Sequence, residues 1–114
     1  MPRLPRLKLS PLPSVVTLAI GDEAERLGLE VPTVDVDGRT TDGDGFLCLW
    51  LNAGVLSASW PDIASTIAHE ALHVVDYAFE HVGESALTDE IRAYYIGSIV
   101  EWAATEVDKR RGSS

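Results

Sequence analysis

Two hydrophobic patterns divide the chain. In its first half, apolar residues come in short runs separated by glycine, proline and aspartate; in its second half they recur every three or four residues. Val15 to Ile20 is a β-branched run of strand length and predicts a first strand. Asp22 to Leu27 (DEAERL) holds helix formers and stops at Gly28, which predicts one or two helical turns. Val31 to Val36 predicts a second strand, at an edge because Pro32 has no N–H to donate. Residues 37 to 45 (DGRTTDGDG) hold three glycines and three aspartates and predict a turn region. Asp35 and Asp37 have the spacing of calcium-loop ligands, but Arg39 stands where a third acid or amide belongs, which argues against a calcium site. Phe46 to Leu51 (FLCLWL) is the strongest strand candidate.

Ser59-Trp60-Pro61-Asp62 is a helix start: a capping serine, a proline in the first turn and an acid three residues after the cap. Ile63, Ile67, Leu72, Val75, Phe79 and Val82 carry that helix to a stop at Gly83. Thr88 caps a second long helix, with Asp89 and Glu90 in its first turn and Lys109, Arg110 and Arg111 in its last, each sign matching the helix dipole. The expected fold is therefore α+β, a small N-terminal β-sheet followed by two long packed helices joined by a short link. Residues 1–14, with four of the six prolines, form an extended basic arm; 15–111 form a single domain; 112–114 form a disordered tail.

Composition agrees with one small globule: 114 residues, 46% of them hydrophobic. The net charge of -9 is uneven, because residues 12 to 108 carry all 18 acids against Arg26, Arg39 and Arg92, a net of -15. Such a body repels a phosphate backbone, so nucleic acid is not an expected partner; the basic ends are read as an arm and a frayed, solvated helix tail. The single cysteine, Cys48, excludes an internal disulfide and a multi-thiolate zinc site, and its apolar run predicts a small buried side chain. No signal peptide and no run of about 18 apolar residues is visible, so the expectation is no membrane span and a cytoplasmic protein.

One segment carries chemistry: His69-Glu70-Ala71-Leu72-His73. On a helix, histidines four residues apart leave the same face one turn apart, so both imidazoles can reach one tetrahedral ion. Two imidazoles and an oxygen suit Zn2+ with a position left open for water or substrate. Glu70 projects beside the pair, where it can take a proton from metal-bound water. The third ligand stays open. Asp76 lies one turn after His73 on the same face, whereas Glu90 comes back against the first helix if the two pack antiparallel. Glu90 shares a face with Ala93, Tyr94 and Gly97, whose small members allow close approach. If Glu90 is the ligand, Asp76 is the carboxylate that steadies a ligand imidazole through its other nitrogen. His81 lies round the helix and is read as surface, and Tyr94 and Tyr95 as core packing first, with support of a tetrahedral intermediate as a second role.

IAHEALHVVDYAFEHVG followed by LTDEIRAYYIGSIV resembles small phage and prophage zinc metallopeptidases of the HExxH, glutamate-zincin type, over roughly residues 15 to 104. The resemblance implies a minimal zincin-like domain in which His69 and His73 bind zinc, Glu70 is the general base and Glu90 is the third ligand. It also implies that the strand before the active helix, Phe46 to Leu51, borders the cleft and pairs with an extended peptide. The function expected is zinc-dependent peptide-bond hydrolysis on a peptide or protein substrate. The alternative is a catalytically inactive zinc-binding phage structural, assembly or regulatory adaptor, virion-associated or bound to a phage or host protein.

Overall fold

The computed structural model describes residues 3–33, 35–43, 46–83 and 89–112. Four strands, β1 (Arg6–Lys8), β2 (Val15–Ile20), β3 (Gly38–Gly43) and β4 (Phe46–Leu51), are followed by two helices, α1 (Trp60–His81) and α2 (Asp89–Gly112). Short 3-10 segments, Gly21–Leu27 and Ala53–Ser57, follow β2 and β4. The α+β arrangement expected from the hydrophobic pattern is the one observed. No helix among the described residues is long and apolar enough to cross a membrane.

The sheet order is β1-β2-β4-β3, with β2 parallel to β4 and the outer pairs antiparallel. After β2 the chain therefore passes beyond the position of β4, lays down β3 at the far edge, and returns as β4 between β2 and β3. Both central strands are apolar at nearly every position because both faces of the sheet are covered. Val16, Leu18, Ile20, Leu47, Leu49 and Leu51 face the helices, while Ala19, Cys48 and Trp50 face a second cluster with Leu4 and Ala24. Cys48 is fully buried, as its run predicted. The indole of Trp50 donates to the carbonyl of Gly21 at 2.8 Å, so the polar end of this buried ring is satisfied.

Two strand assignments are corrected by the structure. Residues 31–33, 35 and 36 are not strand, and the edge strand lies instead at Gly38–Gly43, inside the stretch read as turn. Pro32 removes a donor from the first segment, whereas Thr40 and Thr41 supply β-branched residues to the second. The arm is also more integrated than expected: β1 pairs with β2, and Leu4 and Leu9 are buried.

Helix α1 starts as its sequence dictates, with the Ser59 hydroxyl accepting from the Asp62 N–H at 3.4 Å, and it stops before Gly83 at φ 73°. Ile63, Ile67, Ala71, Val74, Val75, Ala78 and Phe79 are buried beneath it, but Leu72 and Val82, two of the periodic apolar positions, are 40% and 44% exposed. Helix α2 packs on α1 through Tyr95, Ile99, Ala103 and Val107. Its last turn is anchored rather than frayed. Arg110 donates to Glu23 at 2.9 Å, and Arg111 donates to the Ala58 carbonyl while lying 5.0 Å from the Trp60 ring. The cap at Thr88 and the link at 84–87 fall outside the described residues.

Candidate metal centre

The HExxH segment lies in the middle of α1, and helical spacing divides its side chains between two environments. His69 and His73 point outward, and Glu70 turns toward the sheet, where it is only 6% exposed. The Nε2 atoms of His69 and His73 are 3.3 Å apart, with ring centroids separated by 4.9 Å. Two nitrogens bound about 2.0 to 2.1 Å from one tetrahedral zinc would stand about 3.3 to 3.4 Å apart. The imidazole pair therefore already has the separation of two donors sharing an ion. Two Nε2–H groups aimed at each other would repel, so the pair needs either one donor and one acceptor or a cation between two lone pairs.

Glu70 is fixed from the sheet side. The Thr40 hydroxyl on β3 stands 2.8 Å from Glu70 Oε1 and 3.1 Å from the Glu70 backbone carbonyl. The other carboxylate oxygen, Oε2, is 4.0 Å from His69 Nε2. One oxygen is thus held by the scaffold and the other faces the histidines. Gly38 permits this approach of β3 to α1: a Cβ there would lie 2.9 Å from Thr66 Cγ2 and 3.0 Å from Glu70 Cγ. Nothing in the spacing of HExxH pointed to Thr40 or Gly38. Their signal lay in a segment whose glycines and aspartates read as turn.

The candidate carboxylates are placed as follows. Asp76 forms an ion pair with Arg92 of α2, so its charge is engaged in joining the helices. Glu90 is exposed in the first turn of α2 and has no partner among the described residues. The expected packing face of α2 is corrected here. Ala93 and Gly97 are exposed and Tyr94 is 69% exposed, so the face containing Glu90 turns outward and that of Tyr95 and Ile99 turns in. The bulk of Tyr95, Ile99 and Val107 buries more apolar surface than Ala93 and Gly97 would, and this outweighs close backbone approach. Among the described residues no three His, Cys, Asp or Glu side chains converge as a metal-holding group. His69, Glu70 and His73 stand together; Asp76 and Glu90 stand apart from them.

The expected pairing of a peptide with Phe46–Leu51 is also overturned. That strand is β4, hydrogen-bonded to β2 on one side and β3 on the other, and it has no open edge. The open edge on the side of Glu70 belongs to β3.

His81 makes a polar link at the end of α1. Its Nε2 is 2.6 Å from Asp42 of β3, and its Nδ1 is 3.5 Å from the Ser14 hydroxyl. Cys48 takes no part in the site, because burial pushes its thiol up to about 11 and keeps it protonated. Comparison of the chain with known protein families, with curated proteins and with solved structures gives no match to any of them.

Proposed function

We propose that this protein is a small zinc-dependent peptidase of the HExxH type. The observation that carries this reading is the 3.3 Å separation of the His69 and His73 Nε2 atoms beside a buried, oriented Glu70 carboxylate. His69 and His73 would hold the ion through neutral imidazoles. Glu90 is proposed as the third ligand: among the described residues its carboxylate has no partner, so it is free to reach the pair by a shift of the first turn of α2, whereas Asp76 would have to leave Arg92. When bound, zinc supplies a Lewis acid that polarises the scissile carbonyl and acidifies the attacking water.

Glu70 acts as general base through Oε2, the oxygen that Thr40 does not engage. It takes a proton from the attacking water and returns it to the leaving amine as the peptide C–N bond breaks. Thr40 keeps the carboxylate in one rotamer, so orientation is fixed before substrate arrives. The substrate backbone is proposed to lie along the open edge of β3, whose N–H and C=O groups can extend the sheet by one strand.

The test is metal content and turnover together. Purified protein reconstituted with zinc should hold one ion per chain and cleave an unfolded protein substrate, and Glu70→Gln should keep the metal and lose cleavage. Zinc binding with no cleavage of any unfolded substrate would favour the adaptor reading instead.

A further inference from the structure

Ser14, His81 and Asp42 come from three separate elements and meet at the C-terminal end of α1. Ser14 immediately precedes β2, His81 closes α1, and Asp42 lies on β3. His81 Nε2 is 2.6 Å from Asp42 Oδ1, and His81 Nδ1 is 3.5 Å from Ser14 Oγ. A carboxylate only accepts, so Nε2 carries the proton and Nδ1 turns its lone pair toward the Ser14 hydroxyl. A pocket of about 180 Å³ opens beside the serine, and its lining includes both Ser14 and His81. Pro13, Val15 and Phe46 complete its apolar side, and each keeps surface open to it. His81 is two turns beyond His73, about 12 Å along the helix axis, so this cluster stands apart from the imidazole pair.

We propose that Ser14, His81 and Asp42 form a second, metal-independent site that hydrolyses short-chain carboxylic esters through an acyl-Ser14 intermediate. The three groups have the roles of a nucleophile, a base and an orienting carboxylate, with the two ring nitrogens exchanged relative to the serine-protease arrangement. Ser14 Oγ adds to the ester carbonyl carbon while its proton passes to His81 Nδ1. The C–O bond to the alcohol breaks as that proton moves to the departing alkoxide, which leaves the acyl group on Ser14. Water then repeats the sequence, releasing the carboxylic acid and restoring the hydroxyl.

Two features stabilise the imidazolium that forms in each step. Asp42 holds its Nε2–H, and the last turn of α1 carries about half a negative charge. The 3.5 Å contact is longer than a productive bond, as nucleophile–base contacts are before substrate draws them together. The pocket sets the acyl group. A cavity of roughly 150 Å³ takes a benzene-sized guest, so this one suits a short apolar chain such as butyryl. An ester is favoured over a peptide because an alkoxide leaves more readily than an amide anion, and one proton from His81 is enough.

The experiment treats the full chain with a small ethyl fluorophosphonate, whose P–F bond breaks as Ser14 Oγ bonds to phosphorus, and with p-nitrophenyl butyrate. The expected result is one phosphonyl group per chain, mapped to Ser14 by peptide mass spectrometry, and loss of ester hydrolysis in the labelled protein. A covalent mark at Ser14 is a product that zinc-bound water cannot give, so the outcome is independent of the peptidase reading. Ser14→Ala should abolish labelling. His81→Ala should slow it by at least about 100-fold and Asp42→Asn by about tenfold, with circular dichroism unchanged. Ser14→Ala and Asp42→Asn keep the side-chain shapes closely, so they decide the matter if His81→Ala does not fold. No label at Ser14 in the folded protein, labelling spread over other serines, or a rate at Ser14 that Asp42→Asn leaves unchanged would overturn the site.

Discussion

The hydroxyl of Thr40 lies 2.8 Å from the carboxylate of Glu70 and 3.1 Å from its backbone carbonyl, so one short β-branched side chain fixes both the rotamer of the base and the height of α1 above β3. A hydroxyl has one proton, so the two acceptors share it. This makes Thr40 a positioning residue. Thr40→Val keeps the shape and removes the donor. It should lower kcat by about tenfold, leave KM within about twofold, and cost about 1 kcal/mol of stability. Thr40→Ser should restore most of the rate. A Thr40→Val enzyme with unchanged kcat would show that the bond is only structural.

Gly38 gives a second, independent handle on the same contact. Gly38→Ala places a methyl group 2.9 Å from Thr66 Cγ2 and 3.0 Å from Glu70 Cγ, so β3 or α1 must shift. The expected cost is about 1 to 3 kcal/mol, a fall in Tm of several degrees on thermal denaturation. Adding Thr66→Ser removes the first methyl contact and should recover part of the loss. An unchanged Tm in Gly38→Ala would contradict the close approach.

These two residues show what was legible in the sequence and what was not. Local signals that act within a few residues were readable: the Ser59 cap and Gly83 stop of α1, the apolar run of β4, and the one-turn spacing of His69 and His73. Tertiary decisions were not. β3 begins and ends on glycine and is half exposed, and it is strand because it pairs with β4 in register, Thr40 opposite Leu49. The sequence leaves the phase of α2 open, because Glu90, Ala93, Tyr94 and Gly97 share one helical face just as Tyr95, Ile99, Ala103 and Val107 share another. Only the volume available against α1 chooses between the two faces. The edge of the sheet was likewise invisible, since nothing in FLCLWL tells a central strand from the strand before a cleft.

Cys48 predicts a pH response remote from the site. Burial raises its thiol from 9.0 to about 11, so the unfolded chain ionises first as pH rises. The folded state then keeps the full contribution of this group below pH 9.0 and loses it progressively toward about pH 11. The loss should reach about 2 to 3 kcal/mol in urea denaturation, and Cys48→Ala should flatten the decline while lowering stability overall. A slope across that window that Cys48→Ala leaves intact would assign it to other groups.

Glu90 and Asp76 are separated by metal affinity. Glu90→Ala should weaken zinc binding by at least about tenfold in competition with a chromophoric chelator, with no loss of Tm in the metal-free protein. Asp76→Asn should instead lower the metal-free Tm, because Arg92 loses its partner across the two helices, and should leave zinc affinity within about tenfold. The opposite pattern would make Asp76 the ligand.

The most direct measurement is zinc stoichiometry by plasma mass spectrometry, paired with X-ray absorption at the zinc edge, on the protein, His69→Ala, His73→Ala and Glu70→Gln. The geometry of the imidazole pair predicts one zinc per chain with two imidazoles in its shell, lost in both histidine variants and kept in Glu70→Gln. Protein that holds no stoichiometric zinc after reconstitution, or that holds it equally well without either histidine, would contradict the account.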